Sequence, residues 1–517
     1  MTELSRKSHE QRIIAFLSDP ASYPDRPLNI EIRETHGARV FLAGDFAYKV
    51  KKPIRLPYLD FSTLEKRAEF CRRELEINRP AAPDLYLGVI PITREGDGRL
   101  AFAGAGPVIE WVLQMKRFPQ EMLFDQLPRE IIGERATIES LADAVISSHL
   151  AATPVKTGDG PRRIEMLIRQ LSASFTAAPD IFDAADADRF TFEASAQLTA
   201  ARLCLRFRGR AGYIRRCHGD LHLRNILLLD GRAVLFDALE FDEELATIDT
   251  LYDLAFLLMD FHHRDMAAIA VRLLNRYLYL SGAKADIYGL KALALFLALR
   301  AGIRAMVNTD LARQKTGDER EAAVDRARGY FQAALQYLHP PAPFLIAVGG
   351  FSGTGKTTLA AALAERLALP FGCLHFRTDL ERKAMFNVTE TERLPADSYT
   401  QETSDRVYAR VLDKARIALK SGQRVVVDAV FSTEAEREAV EKIARRLNIP
   451  FTGLWLDADE ATLAARVTGR RNDASDATAD VVRQQLARGA GTMQWRKINA
   501  GGSPQHTLDQ ALSAPFR

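Results

Sequence analysis

The chain has 517 residues, too many for one ordinary core, so two or three domains are expected. Its 70 basic and 67 acidic side chains nearly cancel, which excludes the broad basic footprint of a nucleic-acid binder, and 47% apolar residues fit a globular protein. No apolar run is long enough to span a bilayer, and the polar opening MTELSRKSHEQRIIAFL lacks the apolar heart of a signal peptide. The cysteines, Cys71, Cys204, Cys217 and Cys373, are scattered without a CxxC pair. That argues against a disulfide framework or a zinc site and for a reducing cytoplasm.

The first predicted elements are a hairpin. ARVFLAGDFAYKVKKPI reads as a strand, a Gly44–Asp45 turn and a second strand. Lys49 and Lys51 both lie on this second strand and point to one face, because side chains repeat every two residues. STLEKRAEFCRRELEINRP reads as a capped helix; Glu74, with Glu69 second, is the carboxylate expected to pair with a lysine of the strand. VIEWVLQMKRF reads as a further strand. The stretch 116–215 is mostly helical in pattern, with an alanine-rich loop near 176–188 that carries Asp180, Asp183, Asp186 and Asp188.

Next comes HGDLHLRNILLLDGRAVLFD, His218 to Asp237. Asp220 and Asn225 have D-x-x-x-x-N spacing, and ILLL, the DG turn and RAVLF form a predicted hairpin that returns Asp237 beside them. Phosphoryl transfer needs these parts: a carboxylate for the acceptor proton, here Asp220, and Asn225 with Asp237 to hold Mg²⁺ on ATP. HGD in place of HRD, DAL in place of DFG and the downstream TLYDLAFLL resemble the aminoglycoside phosphotransferase family over roughly residues 30–310. The resemblance implies Lys49 as the phosphate lysine with Lys51 as its rival, Glu74 as its partner, Asp253 bracing the loop, and 108–118 as the strand and hinge meeting adenine. His218 is expected to hold the loop backbone and not, with His222, a metal. No G-x-G-x-x-G loop precedes the lysine strand, a departure from the protein-kinase pattern.

HPPAPFLIAVGG then ends the helical pattern, since Pro340, Pro341 and Pro343 cannot continue a helix. The expected domains are 1–338, with an N-lobe near 25–115 and a helical C-lobe near 116–338; a linker, 339–343; and 344–517. GGFSGTGKTT follows a strand and opens a helix, matching G-x-x-x-x-G-K-[ST]. Gly350, Gly353, Thr354, Gly355, Lys356, Thr357 and Thr358 are the expected ATP contacts, with Lys356 on the terminal phosphates and Thr357 on Mg²⁺. Beyond it, Asp379 is the candidate general base, Arg382 one turn on an acceptor contact, and Asp428 closes the strand QRVVVD as a Mg²⁺-shell carboxylate. Arg466, Arg470 and Arg471 form a basic lid, with Arg470 assigned a catalytic role. This half resembles the P-loop kinases that include polynucleotide 5′-hydroxyl kinases, gluconate kinases and zeta-type toxins.

The expected fold is therefore an α+β protein-kinase-like bilobal domain followed by an α/β P-loop NTPase domain with a mostly parallel sheet. The whole resembles bacterial bifunctional aminoglycoside phosphotransferase/ATP-binding proteins. The expected function is ATP- and Mg²⁺-dependent phosphoryl transfer to hydroxyl acceptors at two sites. The acceptor is a small molecule, or at the C-terminal site a polynucleotide 5′-hydroxyl. One active kinase with an ATP-sensing partner domain, or a nucleic-acid end-processing kinase, are the alternatives.

Overall fold

The computed structural model describes residues 3–35, 37–56, 59–367, 371–469 and 474–513. Contact density groups them into two compact units, each built of two stretches of chain: 1–157 with 211–257, and 158–210 with 258–517. Among the described residues no helix is long and apolar enough to cross a membrane. All four cysteines are buried thiols outside any disulfide.

The first unit carries a six-stranded antiparallel sheet in the spatial order Ile30–Glu34, Ala38–Ala43, Phe46–Lys51, Val108–Lys116, Tyr86–Arg94, Leu100–Phe102. The expected hairpin is present, with Ala43 opposite Phe46 and Gly44 at φ +56°. The helix Glu3–Ser18 lays Ile13 and Leu17 against Phe41, Tyr48, Val50 and Val112 on one face of the sheet. Leu42, Ala47 and Leu113 pack with Leu85, Tyr86 and Leu227 on the other. The helix Leu64–Asn78 starts where Thr63 accepts from Lys66 N, and the buried Arg67–Glu110 pair (2.8 Å) ties it to the strand Val108–Lys116. A short hairpin, Ile226–Leu229 with Arg232–Leu235, follows the HGD loop.

The second unit holds a five-stranded sheet in the order Leu374–Arg377, Val425–Asp428, Leu345–Gly350, Phe451–Asp457, Arg496–Asn499. Every pairing in it is parallel, so the sheet expected to be mostly parallel is wholly so among the described residues. Helices including Lys356–Arg366 and Gln401–Lys420 flank the sheet, and its three inner strands, Val425–Asp428, Leu345–Gly350 and Phe451–Asp457, are near-continuous apolar runs, the pattern of strands covered on both faces. Residues 339–343 run without regular structure between the helix Gly317–Tyr337 and the first strand. Packing nevertheless joins the helices on either side of that break in one unit.

One contact within this unit shows how. The strand Leu374–Arg377 is a sheet edge, and its outward backbone groups need partners. Asn275, on the helix Ala267–Ser281, supplies them: its Nδ2 donates to Cys373 O (3.0 Å) and its Oδ1 accepts from His375 N (2.7 Å). The approach is close because Gly372 has no side chain; at φ +66° a Cβ there would lie 2.1 Å from Val271 Cγ2. Gly372→Ala is therefore expected to destabilise the protein by roughly 1–3 kcal/mol. Thermal denaturation checks this, and Val271→Ala in the same chain should restore part of the loss.

Candidate functional site

The first site is built from three elements of the first unit. Lys49 Nζ donates to Glu74 Oε1 (2.7 Å) and to Asp237 Oδ1 (2.6 Å). Glu74 is fully buried on its helix, whereas Glu69 is exposed, so Glu74 is the carboxylate at the lysines. Lys51 reaches the same carboxylate, donating to Glu74 Oε2 (2.8 Å) and to Glu240 Oε1 (2.5 Å). Burial works against the Glu74 charge, and the two lysines outweigh it, so its carboxyl lies below the usual range. Asp237 comes two residues after its hairpin strand with φ +57°, and its amide donates to Tyr86 OH (3.0 Å).

The HGD loop is organised by Asp253. Its Oδ1 accepts from Gly219 N (2.9 Å), its Oδ2 from His218 N (3.2 Å), and His149 Nε2 lies 3.2 Å from the same Oδ2. Burial lowers the His218 pKa, so the ring is neutral, and its Nε2 donates to Phe236 O (2.9 Å). Asn225 Nδ2 donates to Asp220 O (3.0 Å) and Oδ2 (3.1 Å), which turns the Asn225 carbonyl oxygen away from the carboxylate. Phe236 N donates to Asn225 O (3.1 Å), and this backbone bond sets Asp237 beside the loop. His222 Nε2 stands 3.3 Å from Asp220 Oδ2.

The second site lies at the ends of the parallel strands. Gly350 (φ +144°) and Gly353 (φ +90°) turn the loop so tightly that a Cβ on either would lie 2.7 Å from a backbone oxygen, that of Leu456 or of Leu463. Gly355 caps the helix Lys356–Arg366, with Thr358 exposed on its first turn. Thr357 Oγ1 donates to Asp428 Oδ2 (2.5 Å), Lys356 Nζ to Phe351 O (3.1 Å) and Thr354 Oγ1 to Phe351 O (2.8 Å). Burial opposes the Asp428 charge, but His375, Lys356 and Arg377 hold its carboxyl down at about 2. Hydroxyl and carboxylate oxygens are the hard donors that Mg²⁺ takes, as are Asn225 and Asp237 in the first site.

Asp379 sits half-buried in the first turn of the helix Thr378–Met385, directly after the strand whose Arg377 pairs with Asp428. Arg382 turns inward from this helix: it donates to Ser398 O (2.8 Å) and Ser404 Oγ (3.2 Å) beneath the Tyr399 ring, so only its remaining donors could meet an acceptor. Arg466, expected in the lid, donates to Ala500 O (2.8 Å) and Gly502 O (3.0 Å). Arg470 and Arg471 lie outside the described residues. Several polar contacts were missed from sequence. Gln485 Oε1 accepts the P-loop amide of Ser352 (2.8 Å), and Asp476 Oδ2 accepts from Lys383 Nζ (2.7 Å), Leu394 N (3.0 Å) and Tyr399 OH (2.6 Å). Glu240 had one weak signal, a charge in the apolar run after Asp237.

Comparison with known proteins assigns the class. Residues 121–293 match the family model described as phosphotransferase enzyme family, and residues 345–491 match that described as AAA domain. An uncharacterized protein of Mycobacterium tuberculosis (strain ATCC 25618 / H37Rv) is 29% identical over 496 residues, 94% of this chain and 95% of that protein. The shikimate kinase of Ruegeria pomeroyi is 30% identical over 118 residues, 23% of this chain and 53% of that enzyme. Among solved structures, a choline/ethanolamine kinase family protein from Mesorhizobium loti matches at 15% identity and TM-score 0.39, covering 63% of this chain and 99% of that one. The protein is a kinase-type phosphotransferase enzyme. In one chain it joins an aminoglycoside-phosphotransferase-type region to a P-loop kinase region, and both imply the use of ATP.

Asp253→Asn tests the loop brace. An amide offers one acceptor where two backbone donors need two, so a buried N–H loses its partner at a cost of about 1–3 kcal/mol. Hydrogen–deuterium exchange should rise across 217–226, with little change at the P-loop.

Proposed function

We propose that each region transfers the terminal phosphoryl group of ATP to a hydroxyl acceptor. The acceptor is a small molecule at the first site, and a small molecule or a polynucleotide 5′-hydroxyl at the second. The observation that carries this reading is the pairing, at both sites, of a cation for phosphate with oxygen donors suited to a divalent metal: Lys49 with Asp237 and Asn225, Lys356 with Thr357 and Asp428. Mg²⁺ bound with ATP neutralises charge on the transferring phosphate.

At the first site Asp220 accepts the proton of the acceptor hydroxyl. Its carboxylate is partly exposed, and Asn225 and His222 orient it through Oδ2. Asn225 and Asp237 offer oxygens to the metal, and Lys49, held by Glu74, meets phosphate. At the second site Gly350, Gly353, Thr354, Gly355, Lys356, Thr357 and Thr358 form the phosphate cradle and helix start. Asp428 positions the Thr357 hydroxyl. Asp379 is the general base, Arg382 lends an acceptor its remaining donors, and the catalytic arginine is Arg470, whose guanidinium charge offsets that of the transferring group.

The role assignments are tested in the full chain. Lys356→Ala should remove one of two nucleotide-binding events seen by isothermal titration; loss of both would refute two independent sites. In that background Asp237→Ala should weaken Mg²⁺-dependent binding of a non-hydrolysable ATP analogue. Asp220→Ala should spare binding and end transfer from γ-labelled ATP, and equal binding losses in the two variants would sink the division of labour. With Lys356 intact, Asp379→Asn should lower turnover at the P-loop site by roughly 10²–10⁴ at unchanged ATP affinity; undiminished turnover would make Asp379 a helix-start residue only.

A further inference from the structure

Five charged side chains in the first unit form a chain of alternating sign. Asp237 meets Lys49 (2.6 Å), Lys49 meets Glu74 (2.7 Å), Glu74 meets Lys51 (2.8 Å) and Lys51 meets Glu240 (2.5 Å). Both ends belong to one short segment, so the backbone from Asp237 to Glu240 closes the chain into a ring. We propose that Lys51 and Glu240 are positioning residues of the first site: they hold Glu74 in place so that Lys49 can leave it for phosphate. This rests on the reading of that site as a nucleotide site.

The two lysines differ in their access to the outside. Lys51 is 2% exposed at its side chain and lies under the Phe61 ring, 4.7 Å from its centroid. Lys49 is 14% exposed and has at its outer side Asp237, which is 41% exposed. A ligand can therefore reach Lys49 and not Lys51. Glu74, in contrast, has no exposure at all. If Lys49 were its sole partner, any shift of Lys49 toward phosphate would leave an uncompensated carboxylate in the interior, which is strongly unfavourable. Lys51 prevents this by holding the second oxygen. A second buried ammonium in turn needs its own counter-charge, and Glu240 supplies it. The inner four groups, two lysines and two glutamates, then balance, and the Asp237 charge remains for the metal side.

The backbone supports the same arrangement. Asn78, one turn after Glu74 on the same helix, donates through Nδ2 to Glu74 O (2.9 Å) and accepts Ala238 N at Oδ1 (2.7 Å). The helix thus grips the segment between the two ends of the ring. Burial lowers the Lys51 pKa, but Glu74 and Glu240 outweigh it and leave the ammonium charged beyond the ordinary lysine range.

The test uses the full chain carrying Lys356→Ala, so that titration with Mg²⁺ and a non-hydrolysable ATP analogue reports the first site. Lys51→Met and Glu240→Gln are each expected to weaken binding by about tenfold or more, and Lys51→Arg to retain it. The double variant Lys51→Met/Glu240→Gln should bind no worse than Lys51→Met alone, because the two residues act as one unit. Melting temperatures are read in parallel. Lower melting temperatures with unchanged affinity in the single variants would overturn the proposal, leaving the pair a packing element. Binding that survives Lys49→Met and vanishes in Lys51→Met would overturn it by exchanging the lysines. Absence of binding in the parent itself would reject the nucleotide-site reading, and the inference with it, a result distinct from the other two.

Discussion

A single carboxylate without contact to water, Glu74, sets the arrangement of the first site. An ionised group in that position must be fully compensated, and here the compensation comes from two lysines on one strand. Strand, helix and the segment after the short hairpin therefore have one relative placement that satisfies all their charges. The same helix is fixed at two further points, by Arg67 to Glu110 and by Asn78 to Ala238 N. Arg67, Cys71, Glu74 and Asn78 fall on one helical stripe, and all four are buried. Three of them are polar or charged. This face is held by ion pairs and hydrogen bonds more than by apolar burial, which suits an element whose task is to place charge.

The P-loop site meets the same requirement by other means. Its phosphate cradle is main chain, shaped by glycines at positive φ where a Cβ would strike the backbone of Leu456 or Leu463. The carboxylate of Asp428 is buried at its centre, and the strand pairing places it beside the loop: Val348 and Arg377 are its register neighbours on the two sides. Charge at this site is arranged by sheet order and local sequence. At the first site it is arranged by side chains that converge from residues 49, 51, 74, 237 and 240.

That difference explains what could be read from the sequence. The P-loop, its strand and its helix are contiguous, so ten residues carried nearly the whole local geometry. The lysine hairpin and the HGD loop were legible for the same reason: turn chemistry and short spacing set them. Glu74 could be chosen only because a lysine strand demanded a partner, and Glu69 was open as a rival until burial separated the two. Gln485 and Asp476 act across long sequence separations with no periodic signal, and Glu240 carries only the weak signal of a charge within an apolar run. Arg382 and Arg466 also make contacts that carry no sequence signal: Arg382 donates to Ser398 O and Ser404 Oγ, and Arg466 to Ala500 O and Gly502 O, all within their own unit.

The break at residues 339–343 shows where chain order and packing diverge. Proline there ends helical continuity, and the sequence marks it clearly. Yet Asn275, far upstream, acts as a piece of neighbouring strand for the edge Leu374–Arg377, giving one donor and one acceptor as a backbone would. The amide that it holds belongs to His375, whose Nε2 stands 3.6 Å from Asp428 Oδ2. Lys284 meets Asp413 (2.6 Å) and Gln423 Nε2 donates to Leu290 O (3.0 Å) across the same boundary. A sheet edge under a packed helix needs partners for its polar backbone groups, and the helices before the break supply them to the strands after it within one compact unit. The helix Ala267–Ser281 is thereby a structural neighbour of the carboxylate at the heart of the P-loop site, one residue removed through His375.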